Sequence, residues 1–240
     1  MWASGGMTCR VKAERIGAAD MTKIKICCIG SAAEARLATD HGADVLGLVS
    51  AMPSGAGVIS EARIARIVPR IVPPVLSFLL TSAPSPEEIV RQHRRAPTSA
   101  IQLVSRRTNS ELAHLRRELP GVALVQVIHV EGDEAIAEAR AMEGLVDFLL
   151  LDSGRPSASV PELGGTGRTH DWEVSARLVA EVETPVFLAG GLDGSNVEEA
   201  VRRVRPYGVD VCSRLRTDGA LDPSLLEAFV AAVRRADGAA

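Results

Sequence analysis

Phe148-Leu149-Leu150-Leu151 is apolar at every position and is followed at once by a carboxylate, Asp152. A sheet with one wet face alternates apolar and polar side chains. A run with no alternation suits a parallel strand covered on both faces. The same texture recurs along the chain. Strand-like runs are read at Lys23 to Cys28, Val45 to Val49, Val75 to Leu80, Ala100 to Leu103, Val122 to Ile128, Val146 to Leu151, Pro185 to Ala189 and Val209 to Cys212. A helical pattern follows each. Ser31-Ala-Ala-Glu34 and Ser195-Asn-Val-Glu198 read as capping boxes. Ser85-Pro86-Glu87-Glu88 supplies a cap, a proline and an acidic first turn. Asp222-Pro223 starts the last helix, which ends near Arg235. Eight strand–helix alternations in one stretch without a linker predict a single-domain α/β fold, a TIM (β/α)8 barrel over residues 21–240, in place of an open doubly wound sheet.

The first twenty residues fall outside this pattern. Trp2, Gly5, Gly6, Arg10, Lys12 and Arg15 leave no apolar core of signal-peptide length. Residues 1–20 read as a disordered N-terminal extension, with Met21 as a candidate start. Of 240 residues, 46% are hydrophobic but only 3% aromatic, so the core is expected to be aliphatic. A net charge of −3 and a pI near 6.0 give no overall pull toward nucleic acid or an anionic membrane. No run of apolar residues is long enough to span a bilayer. Arginines interspersed with Glu and Asp read as solvated helix faces. Cys9, Cys27, Cys28 and Cys212 lack the spacing of a secreted disulfide framework and point to a reducing cytoplasm.

In such barrels chemistry collects at the C-terminal ends of the strands. Those ends carry Cys27-Cys28, Ser50, Leu80-Thr81, Gln102, His129, Asp152, Gly190-Gly191 and Cys212-Ser213. Alternation puts Cys27 and Cys28 on opposite faces, so one of them faces the axis. A thiol there is a nucleophile, a base or a small core residue. Asp152, buried near apolar walls, suits a general acid with a raised pKa, or else caps the next turn. Leu163-Gly-Gly-Thr-Gly167 lies in the longest connection. It could expose amides to a phosphate or form a lid, but it lacks the Gly-Lys-Ser/Thr of a Walker loop. Leu188-Ala-Gly-Gly-Leu192 and Asp210-Val-Cys-Ser213 follow strands seven and eight, where barrels often hold phosphate on backbone amides. Arg214 or Arg216 could add charge there. Nothing in the histidine spacing supports a metal site.

Taken in order, these segments resemble the phosphoribosylanthranilate isomerase family. Lys25-Ile-Cys27 with Ile29, Gly42-Ala-Asp-Val-Leu-Gly47, Leu150-Leu-Asp-Ser153, Gly164-Gly-Thr-Gly-Arg-Thr169 with Asp171-Trp172, Leu188-Ala-Gly-Gly-Leu192 and Val204-Arg-Pro-Tyr-Gly-Val-Asp-Val211 carry the likeness, which covers nearly all of the chain from Met21 to Arg235. The resemblance implies an Amadori rearrangement of a small phosphorylated substrate, with neither cofactor nor metal. The family's general acid maps to Asp152 and its general base to Cys27. Phosphate binding maps to Gly190, Gly191, Asp210, Cys212 and Ser213. Lys25, Gln102, His129, Gly164 and Gly165 would line the substrate. A monomer or homodimer in the cytoplasm is expected.

The chain also departs from the family pattern. Cys28 stands where Gly is usual, and Cys212-Ser213-Arg214 replaces Ser-Ser-Gly. Gln102-Leu-Val-Ser105 replaces Gln-Leu-His-Gly. Ser54-Gly-Ala-Gly-Val-Ile-Ser60 lacks an arginine that commonly meets the anthranilate carboxylate. Two alternatives follow. One is a paralogous isomerase acting on another phosphorylated aminosugar. The other is a non-catalytic phosphosugar-binding barrel.

Overall fold

The computed structural model describes residues 21–53, 56–154 and 171–238. Eight strands, β1 (Lys23–Ile26), β2 (Val45–Val49), β3 (Leu76–Thr81), β4 (Ala100–Leu103), β5 (Ala123–His129), β6 (Phe148–Asp152), β7 (Val186–Leu188) and β8 (Gly208–Val211), form a closed barrel in chain order. The helices α1 (Ala32–Asp40), α2 (Glu61–Ile67), α3 (Pro86–Arg95), α4 (Asn109–Glu118), α5 (Glu134–Ala141), α6 (Trp172–Glu181), α7 (Val197–Val204) and α8 (Pro223–Ala236) alternate with them. Every neighbouring barrel pair is parallel, and β1 closes the ring against β8 with Lys25 opposite Asp210. The expected TIM barrel is the observed fold. Residues 1–20 lie outside the described residues.

Period-two alternation sorts the strand residues into two cores. Ile24, Ile26, Leu46, Leu48, Leu149 and Leu151 face the helices and pack with Ile64, Leu112, Leu178 and Leu226. Val45, Val49, Phe78, Val125, Phe148 and Phe187 face the barrel axis. The expectation of an aliphatic core holds for most of both layers; Phe229 is buried in the outer one, and the inner one adds a cluster of aromatic rings. Phe78, Phe148, Phe187 and Tyr207 converge at the N-terminal end of the barrel, with ring centroids 5.4–6.2 Å apart. Few aromatics therefore means that they are concentrated where a wide interior needs bulk.

Carboxylates start two strands in the same way. Asp44 donates its amide to the Ile24 carbonyl and accepts the Ile24 amide on Oδ2. Asp147 does the same with Leu124. The acid of the Gly-Ala-Asp segment is thus a strand clamp at the floor, far from the mouth.

The two expected capping boxes resolve differently from their reading. Ser31 caps the Glu34 amide, but the Glu34 carboxylate takes the amide of Gly30, the Leu221 amide and the Arg216 guanidinium in place of closing the box. Ser195 is not a cap, because α7 starts at Val197 with Asn196 before it, and the Ser195 amide and hydroxyl both go to Asp193. A true capping box forms at Thr108 and Glu111. Arginine–carboxylate pairs join neighbouring helices, as Arg95–Glu61, Arg94–Glu118, Arg140–Glu181 and Arg235–Glu198. Their exposure limits each to less than about 1 kcal/mol.

Candidate active site

β1 brings Lys25 and Cys27 to the axis, two residues apart on one face. Lys25 is fully buried, and its Nζ donates to Asp210 Oδ2 at 2.8 Å across the β1–β8 seam. Asp210 Oδ1 is buried with no partner among the described residues. Burial opposes the Lys25 charge, but Asp210 and Cys27 beside it outweigh that and raise its pKa. Lys25 is therefore a fixed ammonium. Burial pushes the Cys27 thiol up to about 11; Lys25 pulls it down and Asp210 pushes it further up. Gly47 on β2 makes room for the sulfur, since a Cβ there would lie 2.8 Å from Cys27 Sγ and 3.2 Å from Lys25 Nζ.

Asp152 ends β6 on the same inward face. Burial raises its pKa to about 6, the Ser153 amide donating to Oδ1 at 2.7 Å works against that, Asp210 adds to the rise, and Lys25 opposes it. The acid, the thiol, the ammonium and Asp210 therefore share one electrostatic environment, with no aligned pair of opposite charges left to neutralise Asp152. His129 stands opposite Asp152 in the β5–β6 register, and burial lowers its pKa, so it is neutral at pH 7. Gln102 is buried on β4, with its Oε1 unpaired among the described residues. Ser50 and Thr81 have other duties: Ser50 donates to the Leu80 carbonyl and Thr81 to Gln92.

Gly190 and Gly191 follow β7 with φ of 89° and 63°. A Cβ on Gly190 would press to 3.0 Å from the Ser153 side chain, so glycine lets this loop lie against the end of β6. Asn196 fixes the loop by donating to the Gly191 carbonyl at 2.9 Å. The amides of Gly190, Gly191 and Ser213 have no backbone partner among the described residues. Asp210 and Cys212, mapped to phosphate, offer no side chain to it: the Asp210 carboxylate is held on Lys25, and the Cys212 sulfur is bonded to Cys28. Arg214 sits 3.5 Å from Asp193, and Arg216 turns inward to Glu34 and the Cys28 carbonyl, so neither expected cation is aimed freely at an anion. Gly164 and Gly165 lie outside the described residues, as do Ser54 and Gly55.

Two features escaped the sequence reading. The Lys25–Asp210 pair was recoverable, because closing a ring of eight puts β1 beside β8 and leaves two opposite charges level. The Cys28–Cys212 bond was not visible in the cysteine spacing. Those residues are 184 apart in sequence but end adjacent strands, with Cα atoms 5.9 Å apart. Alternation fails for Cys28 because β1 ends at Ile26 and Cys28 turns into the left-handed region at φ 64°.

The fold and these groups define a barrel enzyme of the acid–base class, with a carboxylic acid and a thiol at the mouth. The family described as N-(5'phosphoribosyl)anthranilate (PRA) isomerase matches residues 24–232. The chain is 36% identical over 216 residues to the N-(5'-phosphoribosyl)anthranilate isomerase of Methanocella arvoryzae, covering 89% of this chain and 99% of that one. The crystal structure of the phosphoribosyl anthranilate isomerase of Thermus thermophilus superposes with a TM-score of 0.76 at 26% identity, covering 89% and 99% of the two chains. That of Thermococcus kodakaraensis gives 0.73 at 31% identity, with the same coverage. The chain belongs to the phosphoribosylanthranilate isomerase family.

Proposed function

We propose that this enzyme converts N-(5'-phosphoribosyl)anthranilate to 1-(2-carboxyphenylamino)-1-deoxyribulose 5-phosphate, a step of tryptophan biosynthesis. The observation that carries the reading is the pairing, inside a barrel of this family, of an acid poised near neutrality with a thiol beside an ammonium. Asp152 protonates the ribose ring oxygen, and the ring opens to an iminium. Cys27, as thiolate, removes the C2′ proton that the iminium has acidified. The resulting enaminol becomes the ketone as C1′ takes up a proton, so the reaction is a net isomerisation. In the empty site only about one Cys27 in 10⁴ is thiolate at pH 7. The cationic iminium beside the sulfur supplies the missing stabilisation. The phosphate is held by the Gly190, Gly191 and Ser213 amides, with Asp210 acting on Lys25 and Cys27.

Complementation of a tryptophan auxotroph lacking this isomerase tests the reading. Growth supports it; failure despite soluble expression overturns it. Turnover lost in Asp152→Asn and Cys27→Ser with the fold intact supports the two roles, and unchanged turnover removes them.

A second reading, an isomerase for another aglycone, is favoured by the crowding at Gly57. A Cβ there would lie 2.3 Å from Cys28 Cβ, so no arginine fits at that point of the loop. Comparing kcat/KM for substrates with and without the ring carboxylate separates the two. Among the described residues no helix is long and apolar enough to cross a membrane. The exposed large apolar side chains, Met21, Val58, Val72 and Leu225, stand on separate segments, which supports a monomer or a small homodimer. A cytoplasmic location is proposed with this metabolic role.

A further inference from the structure

Two of the departures from the family pattern are a single feature: Cys28 and Cys212 are bonded to each other. We propose that this pair is an oxidative modification site. In it a low-molecular-weight disulfide closes, and a dithiol opens, a clasp between the loop after β1 and the phosphate-binding loop after β8. The proposal rests on the phosphate assignment above.

Three loops meet at the clasp. Cys28 directly follows the thiol base. Cys212 directly precedes Ser213. The Gly57 backbone packs so closely on Cys28 that a Cβ would fall 2.8 Å from its sulfur. Arg216 donates to the Cys28 carbonyl at 2.6 Å while paired with Glu34. A cavity of about 330 Å³ lined by Cys28, Gly57, Arg63, Arg216 and Gly219 opens beside the clasp. Cys212 is partly exposed, whereas Cys28 is buried, so exchange begins on Cys212. A thiolate of Cys212 attacks the small disulfide and releases one thiol. Cys28 then attacks the mixed disulfide at Cys212 and releases the second. The protein gives up two electrons and two protons, and the small disulfide leaves as two thiols. A dithiol reverses both steps and departs oxidised.

Cys28 holds a left-handed conformation that non-glycine residues avoid. The bond keeps it there and anchors the segment before Ser213. Opening the bond frees both loops without touching Cys27 or Asp152. The closed form therefore binds phosphate more tightly.

The test is made on the full chain, oxidised with glutathione disulfide or reduced with dithiothreitol and desalted. Proteolysis without reductant, read by mass, reports the linkage. Calorimetry with inorganic phosphate and steady-state kinetics report its effect. Expected are a Cys28–Cys212 linked peptide in the oxidised form only, a phosphate Kd and a KM at least fivefold higher after reduction, and a kcat changed less than twofold. Cys28→Gly, which suits the left-handed backbone, is expected to match the reduced form and to lose the response to oxidant. Absence of the linked peptide after oxidation overturns the proposal, as does a linked form whose phosphate Kd equals that of the reduced form. Phosphate binding is measured without turnover, so failure of the isomerase reading leaves this result readable. If neither form binds phosphate, the phosphate assignment fails and takes the clasp's role with it.

Discussion

At the floor of the barrel Phe78, Phe148, Phe187 and Tyr207 interlock, with tilted or edge-on rings. Four residues beyond Phe148 on the same inward face of β6 stands Asp152, its pKa raised to about 6 by burial. Lys25, inward on β1, links the two regions: its Nζ is 6.0 Å from the Phe78 ring centroid while it donates to Asp210, and Cys27 follows just beyond the strand's end. The floor gains from burial, because the area its rings take from water is mostly apolar. The mouth holds charged and titrating groups against burial. One scaffold thus separates a region tuned for stability from one that is kept reactive at some cost to stability.

The largest effect that would break or confirm this contrast is at Asp152. Asp152→Asn is expected to lower kcat by about 10³-fold, within the range for losing a general acid. Its stability effect has the opposite sign. The folded pKa is raised from 3.8 to about 6, so ionised Asp152 penalises the fold fully above about pH 6, and the penalty vanishes below about pH 3.8. The amide is expected to raise stability at pH 8 by up to about 3 kcal/mol. Urea unfolding beside steady-state kinetics checks both. A variant that is inactive because it is unfolded would sink the contrast.

Phe187→Ala is the mirror experiment. It opens a cavity in the floor and is expected to cost about 3–5 kcal/mol. The kcat of the folded fraction should stay within about threefold, because the ring packs with Phe78, Phe148 and Tyr207 at the floor. A large loss of kcat without loss of stability would merge the two regions into one.

Lys25→Met falls between them. It leaves Asp210 buried and unpaired, at a cost of about 3–5 kcal/mol, and raises the Cys27 pKa further. Replacing both partners, as Lys25→Met with Asp210→Leu, is expected to recover most of the stability and none of the turnover, because an apolar pair needs no desolvation but cannot support a thiolate. Recovery of turnover would remove Lys25 from the chemistry. A smaller effect is expected at Gly47→Ala, whose methyl group meets Cys27 Sγ at 2.8 Å. Stability should fall by about 1–2 kcal/mol, and kcat/KM by about tenfold, with differential scanning calorimetry and initial rates as readouts.

The floor and frame of this molecule were more legible in the sequence than its mouth. The unbroken apolar texture of Phe148-Leu149-Leu150-Leu151 and its seven counterparts reports burial on two faces, and eight regular strand–helix alternations favour closing those strands into a barrel over an open sheet. The acid at the end of one run and the glycines after another were also visible, because each marks a local exception. What stayed hidden depends on closure. The Lys25–Asp210 pair and the Cys28–Cys212 bond join residues about 185 apart in sequence that become neighbours only when β1 meets β8. Asp210 was assigned to phosphate because its position in the chain is beside the loop proposed to hold it. The pleat turns its side chain to the axis and onto Lys25. Glu34 likewise looked like a local capping residue until Arg216, from beyond β8, engaged it.

The smallest expected effect is a lack of change, and it tests the mouth directly. On the proposed mechanism the reactive form has Asp152 protonated and Cys27 ionised. With pKa values of about 6 and 11 in the empty site, the acid is the stronger of the two, so the reactive form is the minor tautomer of the singly protonated pair. Between those values each rise in pH loses as much acid as it gains base. The reactive fraction stays near 10⁻⁵ throughout. The kcat/KM profile is therefore expected to be level from about pH 6 to about pH 11, falling below as thiolate disappears and above as the acid does. In kcat, which reports the bound state, the iminium lowers the Cys27 pKa and moves the alkaline edge of the plateau down. A kcat/KM profile that turns down near pH 8.5, the ordinary thiol range, would show that burial does not govern Cys27, and the distinction between a mouth set against burial and a floor built by it would have to be redrawn at that sulfur.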